Sequence, residues 1–286
     1  MTVVLRNLPL TLDQDESDLA KICAEFLDLE PAAVEVRHIV KKSLDARQRR
    51  RPRFLYTLAI DLSPERERSL LAESQPRVEL FRAPEGVELG TARRPLGGKP
   101  PVVVGAGPAG LFAAYRLVQA GLQPIVIERG LEVTERTRQW HRFLKGDVFN
   151  PESNLLFGEG GAGTYSDGKL YTRVNDPRVG EVLEILAANG APREILFDAK
   201  PHIGSNRLPS VVRRFRKNLR DRGAVFRFST RMTGIRIEDG RVCGLEVEPG
   251  GAIETEQVFL GLGHSARDTI RKLHDLGVAM ERKPFQ

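Results

Sequence analysis

The sequence predicts an α/β chain in two parts, and three features predict it. Three consecutive valines, residues 102–104, run into Gly105-Ala106-Gly107-Pro108-Ala109-Gly110, the spacing of a strand, tight turn and helix. The first 85 residues carry apolar periodicities in the order strand, helix, strand, strand, helix, strand. Between the two lies a Pro/Gly-rich stretch, residues 86–100, which suits neither helix nor strand and reads as a linker.

The N-terminal part follows element by element. Val3–Leu5 is a short apolar strand. Leu19, Ile22, Cys23 and Phe26 recur at i, i+3, i+4, i+7, the spacing of one helical face, and Asp15 or Ser17 can cap that helix. Val34, Val36 and Ile39–Val40 mark a strand, and Phe54–Leu62 another that is rich in β-formers. Pro64 opens a helix over Glu65–Glu73, since proline suits a first helical turn, and Val78–Phe81 closes the set. The order βαββαβ is the ferredoxin-like pattern, an α+β domain over residues 1–85.

The second part, residues 101–286, reads as a Rossmann-like domain. Gly105 lets the chain turn out of the valine strand, Gly107 leaves room for a pyrophosphate, and Gly110 lets helix and strand approach. Leu111, Ala114, Leu117 and Val118 continue a helix that Gly121 ends, and 124–127 is a second strand. The helix start presents free N–H groups to phosphates. Glu128 follows the second strand, where a carboxylate can accept from ribose hydroxyls, with Arg129 beside it. Further on, 225–229, 234–238 and 241–248 read as strands, the last two joined by an Asp239-Gly240 hairpin turn. Residues 257–263 form a strand ending in Gly261 and Gly263, and a helix and short strand precede the last residues.

Composition bounds the rest. Of 286 residues, 41% are hydrophobic and 29% charged, as in an ordinary globular protein of about two domains. No apolar run nears the roughly 18 residues of a membrane span, and the N-terminus lacks the basic and apolar regions of a signal peptide. The two cysteines, Cys23 and Cys243, are far apart, with Cys243 expected on a buried strand. This argues against a disulfide scaffold or a zinc site and fits a reducing cytoplasm. Net charge is +6, with arginine clusters at 47–53 and 213–222 that read as solvated faces.

The run VVVGAGPAGLFAAYRLVQAGLQPIVIERG resembles the N-terminal FAD fingerprint of glutathione-reductase-type flavoproteins. Residues 154–172, NLLFGEGGAGTYSDGKLYT, resemble the signature of a bacterial family of FAD-dependent dehydrogenase-like proteins, as do 201–204 (PHIG) and 263–268 (GHSARD). The resemblance implies that Gly105, Ala106, Gly107, Pro108, Ala109, Gly110, Glu128 and Arg129 hold the AMP half of FAD. It implies that Gly261 and Gly263 pass near the cofactor. It also implies an NAD(P)H-linked FAD-dependent oxidoreductase of unassigned substrate. Read from the residues alone, Gly158, Gly160, Gly161, Gly163 and Gly168 permit close backbone approach, so their N–H groups can donate to a flavin or its pyrophosphate. Thr164, Ser166, Asp167 and Lys169 add polar groups, and a cationic Lys169 near the flavin would favour its reduced, anionic form.

His202 and His264 are the acid/base candidates, because imidazole titrates near neutrality. No metal site is expected, and no CxxxxC redox pair is present. The Gly-Asp strand that completes such FAD domains is not found, and members of the resembled family are longer. The resemblance therefore implies a C-terminally truncated chain. Two alternatives stand beside the oxidoreductase: a non-catalytic nucleotide- or flavin-binding fragment, and an RNA-binding module using the N-terminal domain. The RNA reading lacks the stacking aromatics on strand one. A small-molecule substrate, and neither membrane nor nucleic acid, is the expected partner.

Overall fold

The structure is a computed structural model that describes residues 2–47, 51–72, 77–81, 98–174 and 176–282. The chain forms two compact units, one of residues 1–87 with 169–203 and one of residues 88–168 with 204–286.

In the first unit, β1 (Thr2–Thr11), α1 (Leu19–Phe26), β2 (Glu35–Asp45), β3 (Arg53–Asp61), α2 (Pro64–Ala72) and β4 (Val78–Leu80) follow in order. The four strands pair antiparallel in the order β2-β3-β1-β4, the ferredoxin-like arrangement. Val3, Leu5, Leu8 and Leu10 of β1 all enter one core with Tyr56, Leu58 and Ile60 of β3 and Leu19, Cys23 and Leu27 around α1. A strict two-residue alternation would turn Leu8 and Leu10 to the other face. A bulge between Leu5 and Leu8, with Asn7 at φ 56°, supplies the extra residue that restores them. Asp15 starts the helical segment, its carboxylate accepting from the Ser17 amide at 2.8 Å. Phe26 is exposed rather than in the core, its ring lying under the Arg77 guanidinium.

The expected helix end at Glu73, most of the linker, and Arg49 and Arg50 fall outside the described residues. Arg47 and Arg53 share the Asp45 carboxylate. Residues 169–203, expected within the nucleotide-binding domain, instead pack with the N-terminal unit. The reason is backbone pairing: the Lys42 amide donates to Phe197 and the Ala199 amide to the Lys42 carbonyl, both at 2.8 Å, extending the outer edge of β2. This segment also carries α5 (Arg178–Ala188).

The second unit holds a parallel sheet. Its strands are β5 (Val102–Val104), β6 (Ile125–Ile127), β7 (Val225–Arg227) and β11 (Val258–Leu260), in the order β11-β5-β6-β7. All three valines of β5 are buried, as expected of a strand covered on both faces. Helix α3 (Pro108–Gln119) connects β5 to β6 and ends before Gly121 at φ 80°. Between β6 and β7 come α4 (Val133–Phe143) and α6 (Leu208–Asp221). A three-stranded antiparallel sheet of β8 (Arg231–Glu238), β9 (Arg241–Glu248) and β10 (Gly251–Glu254) leads to β11. The β8–β9 turn is the expected one, with Asp239 at φ 50° and Gly240 at φ 74°.

Three expectations are corrected. Arg216 leaves the solvated cluster of α6 and lies buried on the apolar stripe of Val212, Phe215 and Leu219. Cys243 is half-buried on β9. After α7 (Arg267–Asp275) no strand follows among the described residues.

Candidate functional site

The carboxyl ends of β5, β6 and β11 open onto one cleft, where open α/β sheets bind ligands. Gly105, Gly107, Ala109, Glu128, Arg129, Gly161, Gly263 and His264 line it, with Phe157 and Met232 as apolar walls.

The three turn glycines have different causes. Gly105 sits at φ 102°, and a Cβ there would overlap the Gly261 carbonyl. A Cβ on Gly110 would overlap the Gly105 carbonyl oxygen. Gly261 closes the triangle, since its Cβ would stand 3.0 Å from the Gly110 nitrogen. Gly261 is thus a packing glycine, and its amide donates to the Val104 carbonyl at 2.8 Å. Gly107 differs: its φ is −74°, and a Cβ would meet nothing nearer than the Gly161 Cα at 3.8 Å. Neither backbone conformation nor packing demands glycine there. What glycine does is keep a side chain out of the cleft it lines at the α3 N-terminus, where the cap residue offers nothing to satisfy the first-turn N–H groups. Pro108 occupies the first helical turn, where its missing N–H costs nothing.

Glu128 is buried and already well bonded. Its carboxylate accepts from the amides of Ala106 at 2.8 Å, Gly130 at 2.9 Å and Gly158 at 3.0 Å. A carboxylate offers about four acceptor positions, so these three amides leave one unfilled. Arg129 is held between Glu152 and Asp268 over the Phe157 ring. Burial alone would lower its pKa, but the two carboxylates outweigh that and raise it, so its charge is fixed.

The glycine-rich loop docks on this turn. The Gly160 amide donates to the Ala106 carbonyl at 2.8 Å and the Gly161 amide to the Gly158 carbonyl at 3.0 Å. The amides of Gly158, Gly160 and Gly161, expected to face a flavin, are therefore engaged within the protein. Thr164 is buried inside the loop, its hydroxyl donating to the Glu159 carbonyl at 3.2 Å. The Ser166 hydroxyl donates to the Gly163 carbonyl and accepts from the Gly168 amide, closing a local turn. The Asp167 carbonyl accepts from the Gly204 amide. Gly163 is exposed, and a Cβ there would meet nothing within 4 Å. Lys169 and His202 face each other across a β-bridge in the first unit. His264, in the second, is exposed at the cleft with Ser265 at 3.5 Å.

Three residues that the sequence reading passed over hold the loop. Arg136 of α4 donates to the carbonyls of Asn154, Glu159 and Gly161. Glu159 accepts from the Val133 amide at 2.7 Å and from Arg216 at 2.8 Å. Burial pushes the Glu159 carboxyl up from the usual range, against the pull of these donors. Spacing is the signal that could have found the arginines: Val133, Arg136 and Trp140 share one face of α4, as Val212, Arg216 and Leu219 do on α6.

A family match agrees with the fold of the second unit. Residues 103–162 match the family described as NAD(P)-binding Rossmann-like domain, and residues 3–61 match a domain of unknown function (DUF8436). An uncharacterized protein of Clostridium beijerinckii is 36% identical over 288 aligned positions, covering 100% of this chain and 53% of the relative. Among solved structures, Thermovibrio ammonificans THI4 is similar at 17% identity and TM-score 0.43, covering 63% of this chain and 64% of that one. Glycerol-3-phosphate dehydrogenase from Bacillus halodurans, complexed with FAD, is similar at 14% identity and TM-score 0.40, covering 61% and 36%. Among the described residues no helix is long and apolar enough to cross a membrane, and no group of residues could hold a metal. The chain thus carries a Rossmann-like domain of the NAD(P)-binding type, and it spans about half the length of the curated relative it matches.

Proposed function

We propose that this chain binds FAD and serves an FAD-dependent oxidoreductase that exchanges electrons with NAD(P)H. The observation that carries the reading is Gly107, a glycine that neither conformation nor packing requires, at the mouth of an uncapped helix N-terminus. That cradle fits a pyrophosphate. The fourth acceptor position of Glu128 fits the adenosine ribose. The second glycine-rich segment, seated against the first, extends the reading from a mononucleotide to a dinucleotide with a ring: a Cβ at Gly161 would stand 3.4 Å from the Gly107 Cα. Gly163 and Gly263 leave open space, and His264 places an imidazole at the cleft rim.

Bound FAD would supply the hydride and electron chemistry. The protein's part is to bind the phosphates at α3, orient the ribose through Glu128, and close one wall with Phe157 and Met232. The test is a visible absorption spectrum of the purified protein, with chromatography of whatever denaturation releases. A flavin spectrum with released FAD supports the reading, and bleaching by NADH or NADPH supports the electron donor. A colourless protein that also fails to take up added FAD overturns it.

A further inference from the structure

We infer that Arg136 is the positioning residue of the nucleotide cleft, acting through the glycine-rich loop. The inference rests on the dinucleotide reading of that cleft and adds a residue to it. A loop of glycines cannot hold itself by side-chain packing, because it has almost none to pack. Its carbonyls must instead find donors. Arg136 supplies them: Nε donates to the Asn154 carbonyl at 2.8 Å, and Nη1 to those of Glu159 at 2.7 Å and Gly161 at 2.9 Å. Nη1 also lies 3.3 Å from the Thr164 hydroxyl. The guanidinium stacks over the Tyr165 ring, with its centre 4.9 Å from the ring centroid. The side chain is 1% exposed.

Stability alone does not account for this arrangement. Burying a guanidinium costs more than burying an apolar side chain, and its Nη2 finds no hydrogen-bond acceptor. Its bonds to three separated loop carbonyls fix the course of the loop. The direction of the bonds shows that course. Arg136 draws loop carbonyls toward α4, and on the other side the Gly158 amide meets Glu128 and the Gly160 amide meets Ala106. Gly158 records the closeness of the clamp, since a Cβ there would stand 2.5 Å from the Arg136 Cδ. The loop face at Gly161 and Ala162 is thereby held as a cleft wall.

The experiment uses the purified chain and R136K, which keeps the charge and loses the fork of donors. Hydrogen exchange is followed on peptides covering 154–168, and FAD binding by titration with the visible circular dichroism of the bound flavin. Expected are faster exchange at 158–164 with the β5 and β6 peptides unchanged, an altered flavin dichroism, and FAD affinity weaker on the order of tenfold, the worth of one charged hydrogen bond. Unchanged FAD affinity and dichroism overturn the inference whatever the loop exchange does, since faster exchange alone is what a merely structural arginine would give. If R136K does not fold, R136Q, which keeps an NH2 donor without the buried charge, is read in the same way: faster exchange confined to 158–164 with weaker FAD binding supports the clamp, and binding like the parent's overturns it. If the parent chain binds no FAD, the flavin reading falls and the positioning role with it, while the exchange arm still decides whether Arg136 orders the loop.

Discussion

Gly110 and Gly105 meet with no room for a single carbon between them: a Cβ on Gly110 would overlap the Gly105 carbonyl oxygen and lie 2.9 Å from its carbonyl carbon. That approach sets how closely α3 docks on β5. Gly110→Ala must therefore move backbone, and the expected cost is about 3 kcal/mol, the upper end of over-packing penalties. Gly107→Ala should cost no more than about 1 kcal/mol, the difference between glycine and alanine at a helix cap. Its loss should appear in ligand affinity, on the order of 100-fold if two phosphate contacts are displaced. Urea unfolding and FAD titration of both variants separate the two roles. Equal destabilisation by both would contradict the assignment.

Glu128 ties the turn, the second strand and the glycine-rich loop together through one carboxylate. Glu128→Gln puts an NH2 group where an oxygen accepts, leaving at least one of the Ala106, Gly130 and Gly158 amides buried and unpaired. Destabilisation of about 1–3 kcal/mol is expected, read from urea unfolding of the ligand-free protein. A ribose-only role predicts no change without ligand, so the measurement discriminates between the two.

The turn was legible in the sequence because the spacing of its glycines, and the strand and helix on either side, lie within one contiguous segment, although the Gly261 carbonyl that Gly105 makes room for does not. The ferredoxin-like unit was legible for a similar reason, in that helical spacings and runs of β-formers lie within short segments, although the bulge in β1 hid its second half as far as Thr11. What stayed hidden depends on contacts far apart in the chain. The Glu128 carboxylate meets Gly158, 30 residues away, and Arg216 meets Glu159 across 57 residues. An arginine among arginines on α6 looks solvated until the loop it serves is placed. The pairing of 197–199 with β2 had no sequence signal at all, since it is made by backbone groups alone.

Arg129 bridges Glu152 and Asp268, and the second bridge gives the fold an acid dependence. Bonding to Arg129 holds the Asp268 carboxyl below its ordinary value near 3.8, against a smaller opposing effect of burial, with the Thr269 amide assisting. A depressed folded-state pKa means stability that is present above the unfolded value and lost as pH falls through the folded one. The contribution of this bridge to the urea midpoint should therefore be constant well above pH 3.8 and be lost on acidification below it. In Asp268→Asn the midpoint should be lower at neutral pH and should converge on the parent as acid removes the bridge from both. A gap that widens on acidification would reverse the sign and refute the linkage.

The two cysteines should differ sharply in reactivity, and the reason is environment rather than sequence. Cys23 lies wholly buried among Leu5, Leu19 and Leu27, where burial pushes its thiol up to about 12. The thiolate is the reactive form, and at pH 8 a thiol of pKa about 12 is ionised to about one part in ten thousand. Cys243 is half-buried on β9 and needs no opening of the ferredoxin-like core to be reached. Iodoacetamide at pH 8 should alkylate Cys243 in the native protein and leave Cys23 intact until denaturant is added. Peptide mapping after timed quenching gives both rates. Native-state modification of Cys23 at a rate like that of Cys243 would mean that the α1–β1 core opens far more often than its packing allows, since only an open core exposes this sulfur to solvent.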